Sequence, residues 1–448
     1  PAAGKPAFVG IMSHGCSGDI HRRDYKVPKE KWDTHTIETY AAALLDIAMK
    51  AYQGIRYRAD ADIAMAEQRV PMKYRVPDKQ RLEWSQRMVA AMAGRLPKTQ
   101  PEVYAREQIF LNEMQQTEVV VQAIRIGDLA IATTPTETYA ITGLRIKAAS
   151  PLPETIVIEL ANGGDGYVPP PEMHAWGGYN VYPARTAGLE VNAEPKIAET
   201  AITLLEQVSG KPRRHSTRTI GPAGNAILAL KPAGWWRLDE FTGPHAIDAS
   251  GNNRDAVYER DVAYYLEGAR SDAFCRNGET NRSVHLVGAR VRARMAGLGD
   301  RYSVSLWLHN GMPEGAREIS GWFFSRDRDF TLGAYGDHLG VGGQGDMAGR
   351  LVFAHGNKPG SRVVGRGKLP RWEWQHVVLV RDGRKVRAYL NGMLDLETEA
   401  VADFPPGFEQ CFFGGRSDRD SSWEGRIDEI AVFHRALSAG EVAKLQVK

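Results

Sequence analysis

The chain has 448 residues, more than one ordinary hydrophobic core holds, so two or three domains of ~100–200 residues each are expected. The 57 Lys and Arg and 54 Asp and Glu leave a formal net charge of only +3, and the basic residues are dispersed, which argues against nucleic acid as a partner. No run approaches the ~20 apolar residues that a bilayer span needs, so no transmembrane segment is expected.

The three cysteines, Cys16, Cys275 and Cys411, lack C-x-x-C spacing. This pattern argues against a disulfide scaffold, a zinc knuckle and a redox pair. A Cys275–Cys411 bridge and two buried free thiols both remain open, because connectivity cannot be read from sequence.

Residues 1–210 mix apolar runs with helical periodicity, which predicts an α/β domain. The predicted elements, in chain order, are a strand over Ala7–Met12, helices over Thr36–Ala51 and Lys79–Gly94, strands over Thr117–Arg125, Leu129–Thr133 and Thr155–Leu160, and a helix over Ala193–Val208.

Small, basic and proline residues around Ser209–Arg218 predict a linker, which we set at 211–222. Beyond it, helical periodicity almost vanishes and turn signals such as Asn391-Gly392 separate short β-type runs. Residues 223–448 are therefore predicted to form an all-β, two-sheet jelly-roll sandwich. Clear strands are expected over Ser303–His309, His376–Arg381, Lys385–Asn391 and Ile427–Phe433.

Four segments of the first domain resemble, in order, segments of the neutral, non-lysosomal ceramidases. They are FVGIMSHGCSGDI at 8–20, IGDLAIATTPTE at 126–137, LANGGDGYVPPPE at 160–172 and GGY at 177–179. The resemblance implies a zinc-dependent hydrolase that cleaves an amide or ester bond. It covers the C-terminal part of that family's catalytic domain.

The resemblance also implies roles for three residues. Glu137 matches a zinc-binding glutamate, Tyr167 a zinc-binding tyrosine, and Tyr179 a tyrosine that binds the reacting amide or its oxyanion. A first-turn helix glutamate and a loop-anchoring tyrosine remain the structural alternatives for Glu137 and Tyr167.

The turn at 18–21 departs from the family pattern. Where ceramidases have Gly-Asp-Val-Ser, this chain has Gly-Asp-Ile-His, so His21 takes the place of the active-site serine. Ser17, on the other side of the turn, is a further candidate catalytic residue. His21 could act as acid or base in a zinc hydrolase, or serve only a structural purpose. The family's two remaining zinc ligands are histidines from a preceding segment. The resemblance therefore implies that a missing N-terminal segment or a second chain completes the zinc site.

The second domain resembles laminin-G-like, concanavalin A-type jelly rolls. The matching segments include WRLDE at 236–240, VSLWL at 304–308, WQHVVLVRDG at 374–383 and GRIDEIAVFHRAL at 425–437. Such sandwiches bind glycans, lipids or surface proteins, and often calcium. Asp239, Asp248 and Asp428 are the calcium candidates, with turn-capping and strand-end carboxylates as the alternative.

Taken together, these features predict a zinc-dependent, ceramidase-like hydrolase with an appended carbohydrate- or protein-binding sandwich, in a secreted, periplasmic or cell-surface location. The alternative is a non-catalytic adhesion or scaffold protein, in which the hydrolase domain has decayed and the sandwich binds the ligand. The His21 substitution favours this alternative.

Overall fold

The computed structural model describes residues 10–24, 26–32, 35–58, 60–215, 218–328, 335–357, 361–404 and 406–446. The chain divides into two compact units, Pro1–Ser216 and Thr217–Lys448. The division falls inside the segment predicted as the linker. Within the described ranges, no helix combines the length and the apolar character needed to cross a bilayer.

The N-terminal unit contains both helices and sheets. Its helices are α1 (Ile37–Gln53), α2 (Lys79–Ala91), α3 (Gln100–Met114), α4 (Ala140–Ala149) and α5 (Ala193–Ser209). Its strands are β1 (Ile63–Lys73), β2 (Gln116–Ile126), β3 (Leu129–Thr133), β4 (Glu137–Thr138), β5 (Glu154–Ile158) and β6 (Tyr167–Val168).

Strands β1, β2, β3 and β5 form one sheet in that order. The first three are antiparallel, whereas β3 and β5 are parallel and are joined through α4. The alternation expected of an α/β domain is therefore present around β3 and β5, and an α/β class for the whole unit stays a prediction. The sequence did not predict β1 or α3. Of the strand predicted over Ala7–Met12, residues 10–12 are not in a strand and 7–9 lie outside the described residues.

Helix α5 covers one face of this sheet, and the other face carries accessible apolar side chains. A row of small side chains crosses the covered face, Ala66, Ala123, Ala132 and Val157, each buried in the core that α5 shares. Their small size lets α5 approach the sheet closely. The adjacent row on the opposite face, Met65, Ile124, Ile131 and Ile156, is apolar but accessible, with Met65 56% exposed and Ile156 42% exposed.

The C-terminal unit consists of two eight-stranded sheets. The first contains β7 (Gly234–Trp236), β10 (Val262–Glu267), β11 (Arg282–Val287), β13 (Arg301–Asn310), β18 (Trp374–Asp382), β19 (Lys385–Leu390), β20 (Met393–Glu399) and β22 (Glu424–Phe433). The second contains β8 (His245–Ala246), β9 (Ala256–Tyr258), β12 (Val291–Arg294), β14 (Ile319–Asp327), β15 (Asp337–Gly342), β16 (Arg350–His355), β17 (Val363–Lys368) and β21 (Gln410–Phe413).

Neighbouring strands within both sheets pair antiparallel, and the helices of this unit are short: α6 (Pro222–Ala229), α7 (Ser271–Phe274) and α8 (Ala439–Leu445). The predicted all-β sandwich is thereby confirmed. The Asn391-Gly392 turn joins β19 to β20 with φ of 49° and 79°, the positive values that its sequence predicts. All three cysteines are free thiols, so the Cys275–Cys411 bridge is not formed.

Candidate active site

The Cys16–Asp19 turn lies against the two-residue strand β4. The backbone nitrogen of Gly18 donates to the carbonyl oxygen of Thr138 at 2.9 Å. A Cβ on Gly18 would lie 2.4 Å from the carbonyl oxygen of Glu137, so only glycine allows this approach. The Asp19 carboxylate accepts from the Ala140 nitrogen at 2.8 Å, at the first residue of α4. The first two ceramidase-like segments therefore meet in space, although Asp19 and Ala140 are 121 positions apart in the sequence.

The buried carboxylate of Glu159, just beyond β5, ties this turn to β4. Its Oε2 accepts from the backbone nitrogens of Ser17 at 3.1 Å and Thr138 at 2.8 Å. Its Oε1 accepts from the Ser17 hydroxyl at 2.7 Å and lies 2.9 Å from Nδ1 of His14. We call these four residues the Glu159 cluster. A side chain only 1% exposed, with four polar partners, fixes the orientation of the Ser17 hydroxyl.

Glu137 and Tyr167 are direct neighbours. Strand β4 pairs parallel with β6 so that Glu137 is opposite Tyr167, and the Glu137 nitrogen donates to the carbonyl oxygen of Gly166 at 2.9 Å. The Tyr167 phenol donates a hydrogen bond to the Glu137 carboxylate. This bond, together with burial and the Glu137 charge, raises the pKa of Tyr167 to about 12. The two predicted zinc ligands are therefore joined by a hydrogen bond.

Tyr179 completes the arrangement. Its ring packs edge-on against that of Tyr167, with centroids 5.4 Å apart, and its side chain is 62% exposed. An exposed phenol beside the Glu137–Tyr167 pair can donate to the oxygen of an incoming carbonyl. The next residue, Asn180, hydrogen-bonds through its side-chain nitrogen to the Tyr139 hydroxyl, which fixes the Tyr179 loop to the segment that follows Glu137.

His21, in contrast, has an exposed side chain whose Nδ1 accepts from the backbone nitrogen of Arg23 at 3.2 Å. This bond closes a local turn. His14, which contacts Ser17 and Glu159, is the histidine that the structure places in the cluster. Sequence reasoning missed Glu159, although a charged residue directly after the apolar run of β5 was a usable signal.

The donor set bears on zinc. Carboxylate and deprotonated phenol oxygens are suitable zinc ligands, and zinc binding to this pair would require the Tyr167 phenol to lose its proton. Among the residues that the structure describes, no group of three or more His, Cys, Asp or Glu side chains is placed to hold a metal ion. Glu137 and Tyr167 fit two positions of a zinc site, one fewer than the three protein ligands of an ordinary catalytic site.

The three calcium candidates of the sandwich are engaged by protein groups. Asp248 accepts from the backbone nitrogens of Trp235, Ser250 and Arg254, as a turn-capping carboxylate does. Asp239 forms an ion pair with Arg218 at 3.2 Å. Calcium at these residues stays a prediction.

Asp428 is fully buried, and its Oδ2 accepts from the Ala269 nitrogen and the Asn281 side chain, each at 2.8 Å. The next residue, Glu429, is also fully buried and accepts from the Trp235 indole at 2.7 Å. Burial raises the pKa of Glu429 to about 7, and burial together with the Glu429 charge raises that of Asp428 well above its usual range. We call these two residues the buried acid pair.

Residues 287–443 match the family model of the concanavalin A-like lectin/glucanases superfamily. No curated protein matches the chain significantly.

Among the solved structures that match is domain 4 of AbnA, a GH43 extracellular arabinanase from Geobacillus stearothermophilus, in complex with arabinotriose. It is 20% identical, with 48% of this chain and 98% of that chain covered and a TM-score of 0.37. Trypanosoma rangeli sialidase in complex with the inhibitor DANA is 13% identical over 48% of this chain and 32% of that one, with a TM-score of 0.35. The botulinum neurotoxin type G receptor-binding domain is 15% identical over 48% and 50%, with a TM-score of 0.33.

Structural likenesses at these scores carry no argument about function. The family model supports a concanavalin A-like jelly roll for the C-terminal sandwich. It does not extend to the N-terminal unit, whose resemblance to ceramidases stays a prediction.

Proposed function

We propose that the N-terminal unit is a zinc-dependent hydrolase of amide or ester bonds and that the C-terminal sandwich binds carbohydrate. The observation that carries the hydrolase proposal is the pairing of Glu137 with Tyr167 beside Tyr179. Three segments that are separate in sequence bring these side chains together. The concanavalin A-like family match supports the carbohydrate-binding part, and such a protein would act outside the cell or at its surface.

Each residue has a distinct part in this proposal. Glu137 and Tyr167 would hold zinc, which supplies Lewis acidity to the scissile carbonyl and to the attacking water. Tyr179 donates a hydrogen bond to the carbonyl oxygen as negative charge develops on it. Glu159 holds the Ser17 hydroxyl and the Cys16–Asp19 turn against β4, the strand that carries Glu137. His21 stays a proposed acid or base.

Since the described residues supply two donors, we propose that the others come from a further polypeptide segment packed on this unit. In its absence zinc affinity would be weak, because each missing protein ligand removes part of the binding free energy. Zinc must also displace the Tyr167 proton. The affinity should therefore rise about tenfold per pH unit below the tyrosine pKa, if one proton leaves for each ion bound.

Zinc titration monitored by calorimetry or competition with a chromogenic chelator tests the proposal. Glu137→Gln and Tyr167→Phe should each weaken binding at least tenfold, because each removes one ligand oxygen from the ion. Tyr167→Phe keeps the ring that packs on Tyr179, so the loss should not come from unfolding. The matched control is Tyr57→Phe, a tyrosine of the same unit that is 81% exposed.

Zinc binding that is indifferent to both ligand substitutions would refute the assignment. Hydrolysis of p-nitrophenyl acetate and of an N-acyl p-nitroanilide gives the second readout, and Tyr179→Phe should lower kcat while zinc binding stays unchanged. A protein with neither zinc nor hydrolytic activity, but with glycan binding, would support the adhesion or scaffold alternative.

A further inference from the structure

A cleft of about 660 Å³ lies in the N-terminal unit between the start of α2, α3 and the chain at 182–183. Its volume is within the ~300–1,000 Å³ of small-molecule sites. Three aromatic side chains dominate its walls, Trp84, Tyr104 and Tyr182, and the rings of the two tyrosines meet edge to face with centroids 5.5 Å apart.

The composition of the walls is selective. The remaining lining residues are Pro77, Asp78, Arg81, Gln100, Pro101, Gln108 and Pro183. Leu, Ile, Val, Met and Phe are absent from this set, which makes the cleft a poor match for an acyl chain. Its single acidic and single basic side chain balance, so a ligand with a net charge gains little. The Arg81 guanidinium already stacks on Trp84, 4.2 Å from the ring centroid, and the Gln108 amide donates to the Pro183 carbonyl oxygen at 2.6 Å. The tyrosine rings with their phenol groups instead fit a neutral ring that has apolar C–H faces and a hydroxylated rim.

The cleft shares a turn with the candidate active site. The backbone nitrogens of Val181 and Tyr182 both donate to the carbonyl oxygen of Gly178 at 3.1 Å, which closes a tight turn over residues 178–182. Tyr179, on this turn, packs on Tyr167, and Tyr182, at its end, packs on Tyr104. A ligand bound in the cleft would therefore contact the same turn that carries Tyr179.

From this geometry we propose that the cleft binds a sugar ring of the substrate, so that the scissile amide or ester is carried by a carbohydrate. That the sugar belongs to the substrate rests on the proposed hydrolase function, whereas sugar binding by the cleft can be tested independently of zinc. It makes Trp84, Tyr104 and Tyr182 specificity-determining residues.

Photo-crosslinking of the full chain with N-acetylglucosamine bearing an anomeric diazirine tests the proposal, because the modified residue reports where the sugar binds. After trypsin digestion, the label should appear in the peptides 82–87 or 99–106, which contain Trp84 and Tyr104. An excess of free N-acetylglucosamine should abolish it. Tyr104→Ala should reduce labelling at least fivefold because it removes a wall of the cleft, whereas Tyr104→Phe, which keeps the ring, should stay within twofold of the unmodified chain.

Thermal unfolding of each variant confirms that it is folded, and Tyr182→Ala, at a side chain 42% exposed, provides a second variant with little effect on packing. Label confined to residues 218–446 would overturn the proposal. Label at the cleft would also overturn it if octanoate or a proline-rich peptide, but not the free sugar, displaced the label. Glu137→Gln separates the two proposals. Weaker zinc binding with unchanged sugar labelling supports both. Unchanged zinc binding with unchanged sugar labelling supports the sugar site alone.

Discussion

Replacement of Glu159 offers the sharpest test of how the candidate site is held together. In Glu159→Gln an amide oxygen at the Oε2 position still accepts from the nitrogens of Ser17 and Thr138, but as a neutral acceptor. Hydrogen bonds to charged groups contribute ~1.5–3 kcal/mol and neutral ones ~0.5–1.5, so two weakened bonds cost about 2–3 kcal/mol. Glu159→Ala removes every acceptor and leaves both nitrogens unsatisfied, with an expected cost of about 4–6 kcal/mol.

Hydrogen exchange at the Ser17 and Thr138 amides measures this cost locally, which matters because a two-unit chain need not unfold in one step. Protection in Glu159→Gln should fall roughly 30- to 150-fold, since about 1.4 kcal/mol corresponds to a factor of ten. The control is Glu154→Gln, an exposed residue at the start of the same strand, which should change protection by less than about threefold. Unchanged protection at both amides in Glu159→Ala would refute the reasoning.

Three further changes have expected outcomes. Gly18→Ala should lower the free energy of unfolding by about 2 kcal/mol or more, because the new Cβ meets the Glu137 carbonyl oxygen. Maleimide should then label Cys16 faster, a thiol whose pKa burial raises to about 12. The control is Gly164→Ala, where a Cβ meets nothing within 4 Å, and equal labelling rates in the two variants would contradict the clash. Burial raises the pKa of Glu429 from 4.5 to about 7, so its contribution to the stability of the sandwich should be full below pH 4.5 and lost as the pH rises to about 7. Urea unfolding at pH 5 and pH 8 measures this loss. In Glu429→Gln the free energies of unfolding at the two pH values should differ less. Gly392→Ala, at φ 79°, should lower the stability of the same unit by about 1–2 kcal/mol in urea, and no change would show that the turn adapts.

Strands could be predicted where the sequence carries an uninterrupted apolar or alternating run. The predicted bounds of β3 coincide with those observed, and β2 and β19 differ by one residue at most at either end. Strand β1 could not be predicted, because IAMAEQRVPMK is interrupted by charges and by Pro71 and reads as no clear period. It is an edge strand, and such residues are tolerated there because one side of the strand forms no backbone hydrogen bonds to a neighbouring strand.

The candidate site shows a different limit. Glu137, Tyr167 and Tyr179 could be named from motifs, and the structure brings them together. The charge that follows the apolar run of β5 marks Glu159 as unusual, but its partners could not be predicted, because they lie up to 142 residues away and only the fold brings them within reach.

The sequence marked Asp428 as a calcium candidate but did not predict that Asp428 and Glu429 are both buried. Strand alternation would send one of two consecutive residues outwards, but Glu429 has φ of 47°, and the pairing of β13 with β22 shifts register nearby, between Ser305 and Trp307. The irregularity lies at the buried acid pair, where strand alternation no longer holds, and both side chains are fully buried.

The accessible row on the N-terminal sheet, Met65, Ile124, Ile131 and Ile156, has a practical consequence for the behaviour of the chain in solution. Attraction between such rows on separate molecules is hydrophobic, so added sulfate or phosphate strengthens it instead of screening it. Raising the salt concentration, the usual remedy for charge-driven precipitation, would then favour self-association of this protein. A mild non-ionic detergent or a low concentration of urea, which solvate apolar surface, should keep it dispersed.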